Sequence, residues 1–160
     1  MSQVFKRRVV REKVLQILYA YNLNKESLEA LIGEMMVGIE EKSDIDFAND
    51  LVHRVLANKD ELDKHIKLRV DNWEMNRIAL IDKILLRMGI CELLYFPDIP
   101  PKVSINEAIE IAKIYSTAGS GKFINGILDV ILTELKDTGK LNKTGRGLLE
   151  ESISKPSSKK

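Results

Sequence analysis

Residues 5–22, FKRRVVREKVLQILYAYN, decide the fold class. At 100° per residue, Val10, Val14, Ile17, Leu18 and Tyr21 fall on one stripe, the pattern of a helix with a single buried face. No run in the stretch alternates with the period of two that a half-buried strand requires. The spacing predicts a helix from about Phe5 to Asn22. Arg7 and Arg11 stand on the shoulder of its apolar stripe, and Arg8 and Tyr19 lie within about 20° of each other, roughly 16 Å apart along the axis.

Working outward, the same three- and four-residue spacing recurs along the chain. Proline is absent before Pro97, and every glycine lies at or beyond Gly33. Six or seven helices follow from this. The second is expected from Ser27 to about Glu41. A third, capped by Asp44 or Asp46, carries Phe47, Leu51 and Leu56. A short fourth carries Leu62, Ile66 and Val70. A long one runs from about Asn76 to Tyr95, and the last two span about Ile105–Ser116 and Gly121–Lys136. Ser104 and Glu107 match a capping box, with the serine hydroxyl accepting from the third-position N–H and the glutamate reaching back. Past Leu135 apolar residues thin out, so the expectation is an all-α domain over 1–136 and a flexible basic tail over 137–160.

The 160 residues carry a net charge of +1, an average over unlike segments. Residues 1–13 hold a net +4, residues 14–135 a net −7 and residues 136–160 a net +4. Basic ends around an acidic middle suit two kinds of partner. The basic cluster also opposes its own helix, whose N-terminal end disfavours each cation by about 0.3–1 kcal/mol. Lys6, Arg7, Arg8 and Arg11 therefore call for an external anion such as RNA phosphate or for acidic neighbours.

Catalytic chemistry finds little support. The Gly119–Phe123 run lacks the features of a phosphate loop, with Ser116 where the first glycine belongs and Phe123 where a Ser or Thr belongs. Two histidines and one cysteine do not readily make a zinc site, and no nucleophile stands with a base, so neither metal nor cofactor is expected. No stretch is apolar enough to span a membrane. The charged N-terminus is unlike a secretory signal, and a lone Cys91 suits a reducing, cytoplasmic setting.

Several blocks, in order, resemble one family: Arg7–Glu12 with Leu15–Tyr19, Ile84–Arg87 with Cys91–Leu93, Pro101–Lys113, and Lys122–Asp129. Over nearly its whole length, to about Leu135, the chain resembles the NusB family of bacterial transcription antitermination factors. The resemblance implies an all-helical fold of two small packed bundles and a function without catalysis. It implies binding of single-stranded boxA RNA together with a small-subunit ribosomal protein in the NusE role, on the antitermination complex of RNA polymerase. Lys6, Arg7, Arg8 and Arg11 match the arginine-rich RNA-binding run, and Tyr19, Lys122 and Phe123 match positions near the same surface. Asp82, Arg87 and Glu92 match positions of the partner-binding helix, where Arg87 and Glu92 also fit internal salt bridges. The Thr117–Gly121 loop departs from the family's more acidic or bulkier pattern. The residues leave open a homodimer, a domain related to RNA cytosine methyltransferases, and a protein-only helical adaptor.

Overall fold

The computed structural model describes residues 3–24 and 27–149, with eight α-helices and no strand among them. They are α1 Gln3–Asn24, α2 Leu28–Met35, α3 Lys42–Ala57, α4 Lys59–Lys67, α5 Asn72–Arg77, α6 Leu80–Tyr95, α7 Pro101–Tyr115 and α8 Ala118–Asp137. The helix α1 packs on α2 and α3, while α6, α7 and α8 pack on one another, and α6 also meets α1, α3 and α4. Two helical groups thus share α6, which is buried at every position from Ile84 to Leu93. A helix buried on all sides lies in the centre of a core, and its charged residues Arg87 and Glu92 must find partners there. Gly89 lets α8 approach: a Cβ there would stand 2.9 Å from Leu128 Cδ1. On α1 the expected stripe holds for Val10, Val14, Ile17 and Leu18, joined by Leu15, while Tyr21 is only partly covered.

Four boundaries differ from expectation. The second helix stops at Met35, and Gly38, at φ +95°, turns the chain toward α3. Asp44 and Asp46 both lie inside α3, whose cap position is Glu41, and the Asp44 carboxylate accepts from Arg7. The long helix divides at the extended residues Ile78 and Ala79, giving α5 and α6. Its first part starts with a capping box of Asp71 and Glu74.

The fourth difference lies at α7. Pro101 occupies the first helical position and Pro100 the cap, where a missing N–H costs nothing. Ser104 and Glu107 are therefore interior and buried, not a capping box.

The chain beyond Lys136 also departs from the frayed segment expected from composition. Gly139, at φ +71°, closes α8 by returning the Lys140 and Leu141 N–H groups to Leu135 O. The Lys143 Nζ then donates to the carbonyls of Glu92 (3.1 Å) and Phe96 (2.8 Å). The Thr144 N–H donates to Pro97 O at 3.0 Å, and a 3-10 turn follows at Gly145–Leu148. Gly147 lies so close over the Pro97 carbonyl that a Cβ would overlap it. Residues 150–160, the rest of the expected tail, lie outside the described residues.

Candidate nucleic-acid and partner interface

The cations at the start of α1 meet carboxylates brought from three other helices and one loop. The Lys6 Nζ stands 3.3 Å from Glu41, an open pair on the surface. The Arg7 Nε donates to Asp44 Oδ1 at 2.8 Å, and its guanidinium lies 4.5 Å from the centre of the Phe47 ring. Arg8 makes a two-pronged contact with Glu107, at 2.9 and 2.8 Å. Arg11 does the same with Glu92, at 2.8 and 2.9 Å, and the Ser104 hydroxyl donates to the same carboxylate at 2.7 Å.

This network supplies the acidic neighbours that the charge cluster required. Three acids of the negative middle, Asp44, Glu92 and Glu107, are buried against arginines of the positive N-terminus. The Arg8–Glu107 and Arg11–Glu92 partners lie 99 and 81 residues apart in sequence.

Burial divides the sequence candidates. Arg11 is 4% exposed and Glu92 2%, so neither offers its charge to a ligand or partner; together they join α1, α6 and α7. Burial pulls the Arg11 pKa down, but the Glu92 charge and hydrogen bonds outweigh it and the net shift is upward. Arg87 is likewise buried, held by Asp63 at 2.7 and 3.2 Å, and ties α6 to α4. Arg11, expected with the RNA-contacting residues, and Arg87 and Glu92, expected with the partner-contacting ones, each complete a buried ion pair, a role that Arg87 and Glu92 also fit in the sequence. Arg7 and Arg8 remain partly exposed, and Tyr19 is exposed.

The other candidates gather at the start of α8. The Thr117 hydroxyl caps that helix by accepting from Ser120 N–H at 3.0 Å. Gly121 is buried against Ile109 and Lys113 of α7, which projects Lys122 and Phe123 outward. Phe123 is 36% exposed and lines an open groove with Asp82, Ser120, Glu74 and Arg77. Asp82 is nearly buried there: its Oδ2 accepts from the Ser120 hydroxyl at 2.7 Å, while its buried Oδ1 has no hydrogen-bond partner among the described residues. Phe123, Asp82 and Arg77 thus share one groove. Glu107 of α7 holds Arg8, and Ile109 and Lys113 of the same helix meet Gly121 of α8. Gly126 is open to solvent, so close packing does not explain it.

Not visible in the sequence were Asp44, Phe47 and Glu107 as partners of the arginines, Ser104 as a donor to Glu92, and Glu74, Arg77 and Ser120 as walls of the groove. For Ser104 and Glu107 the available signal was Pro100–Pro101, which sets the helix start four residues earlier. Burial pushes the Cys91 thiol pKa up, and no described group of His, Cys, Asp and Glu residues could hold a metal. No described helix is long and apolar enough to cross a membrane.

Residues 8–133 match the model of the NusB family. The chain belongs to that family. It is 47% identical over 150 residues to the transcription antitermination protein NusB of Chloroherpeton thalassium, covering 92% of this chain and 71% of the relative. With the protein of the same name from Salinibacter ruber it shares 50% over 145 residues, covering 89% and 91%. The solved structure of T. maritima NusB matches with a TM-score of 0.74 at 37% identity, covering 80% and 91%. The NusB fold also appears, at 24% identity and a TM-score of 0.73, in a complex of the antitermination factors NusB and NusE with double-stranded RNA, covering 84% of this chain and 99% of that one. The NusB family match takes in Arg8, Glu92, Glu107 and Lys122–Phe123, and ends before the segment that folds over Pro97.

Proposed function

We propose that this protein is a transcription antitermination factor that works by binding rather than catalysis. With a small-subunit ribosomal protein in the NusE role, it holds single-stranded boxA-type RNA and joins the antitermination complex on RNA polymerase, in the cytoplasm and without a cofactor. The observation that carries this reading is 47–50% identity, over most of the chain, to proteins named for antitermination. The geometry agrees with it. Lys122 supplies a cation and Phe123 an exposed ring side by side, the pairing that tracks a single strand by phosphate contact and base stacking. Arg7 and Arg8 add partly exposed planar groups at the start of α1. For the ribosomal protein, the groove at Asp82, with the exposed Glu74 on its wall, presents acid to a basic partner.

A protein-only adaptor is the second reading, favoured by the internal pairing of the α1 arginines. Anisotropy of a labelled boxA-like RNA, titrated with this protein alone and with the ribosomal protein at several salt concentrations, separates the two. The antitermination reading expects weak binding alone and tighter binding with the partner. Absence of RNA binding even with the partner would select the adaptor.

A further inference from the structure

We infer that Glu107 is a positioning residue for RNA recognition: it fixes the plane of Arg8 and cancels its charge, so that Arg8 contributes shape rather than electrostatic attraction. The inference rests on the RNA-binding reading above and deepens it. The Glu107 side chain is 3% exposed and the Arg8 side chain 21%. Both carboxylate oxygens accept from Arg8, one from Nε and one from an Nη, the fork geometry that fixes a guanidinium in orientation as well as distance. A carboxylate so buried depends on its arginine, because releasing the guanidinium to a phosphate would leave an unpaired charge inside the protein. Arg8 therefore stays in its fork when RNA arrives.

The neighbouring residues sharpen the point. Arg7 is held in a comparable way, by the buried Asp44 at its edge and Phe47 against its face. Lys6, by contrast, has only a surface contact with Glu41, which a phosphate can replace at little cost. One turn of helix thus carries an exchangeable cation followed by two oriented planes. A neutralised, oriented guanidinium releases few counterions when it meets RNA, but it can still stack on a base or hydrogen-bond to one in a single direction.

The test uses the full chain with its ribosomal partner, a boxA-like RNA and a scrambled RNA of the same composition. Glu107→Gln keeps the shape and removes the charge. It is expected to strengthen binding of the scrambled RNA at low salt and to steepen the slope of log K against log salt by about 0.7. Preference for the boxA-like sequence should fall by roughly fivefold or more. Arg8→Lys keeps the charge and removes the plane, and should lose the same preference. Glu107→Asp, which restores a carboxylate, should recover part of it. Equal weakening of both RNAs by Glu107→Gln, or an unchanged preference in Arg8→Lys, would overturn the inference. If the wild-type complex binds neither RNA, the functional reading itself fails, a result distinct from wild-type binding that the variants leave unaltered.

Discussion

The start of α1 and the start of α8 both carry cations, yet they use them in opposite ways. At α1 the density of charge is high and is turned inward, with Arg7, Arg8 and Arg11 each facing a buried carboxylate. At α8 the charge is sparse but turned outward, with Lys122 exposed beside a half-exposed Phe123. The difference teaches that a run of arginines measures how many acids a fold has buried as much as how much anion it seeks. A single exposed lysine can contribute more salt-dependent affinity than three arginines that are already paired.

The comparison is broken most forcibly at Arg11. Glu92→Ala leaves that guanidinium buried without its hydrogen-bonded carboxylate, Glu107 acting on it only at a distance, and is expected to cost about 3–5 kcal/mol in urea unfolding, as removal of one partner of a buried pair does. Replacing Arg11 by Met, Glu92 by Leu and Ser104 by Ala together should cost far less, since no charge is stranded. A loss under about 1 kcal/mol for Glu92→Ala would mean that the pair does not brace the fold.

The opposite end responds in binding rather than stability. Phe123→Ala should weaken RNA affinity by about 1–3 kcal/mol, the worth of one stacked base, with little change in unfolding because the ring is partly solvated. Equal losses in stability and affinity would assign Phe123 to the core instead.

Much of this division was hidden from the sequence for physical reasons. Helical periodicity is local, so the buried stripe at Val10, Val14, Ile17 and Leu18 was legible, and with it the all-α fold. Ion pairing is not local. Nothing near Arg8 announces Glu107, and counting charges by segment separated the partners into a positive end and a negative middle. The Ser104–Glu107 spacing satisfied a local rule, but Pro100 and Pro101 set the helix start and left those side chains to Glu92 and Arg8. The Lys122–Phe123 pair was singled out by the family resemblance alone, and its exposure appears only in the structure.

Two smaller effects bracket the α1 network. Glu41→Ala should change stability by less than about 1 kcal/mol, since its contact with Lys6 is a surface pair. Lys143, which ties the C-terminal segment to the end of α6, has its pKa lowered by burial to about 8, with Glu92 and Asp98 resisting the shift. Between about 8 and the ordinary 10.5 the unfolded chain holds a proton that the folded chain has released, so stability from this group rises with pH across that window. Thermal melts at pH 7.5 and pH 10, compared between wild type and Lys143→Met, should show an increment in the wild type that the variant lacks. An equal pH response in both would assign the effect to other groups.

On this account the arginine charge at α1 is neutralised inside the protein, whereas the Lys122 charge at α8 faces RNA. The most direct test is the salt dependence of boxA-like RNA affinity in two variants of the full chain, each with the ribosomal partner. Lys122→Ala should make the slope of log K against log salt shallower by about 0.7, while the combined Arg11→Met, Glu92→Leu, Ser104→Ala variant should leave it unchanged. The reverse result, an unchanged slope for Lys122→Ala and a shallower one for the Arg11 variant, would contradict the account.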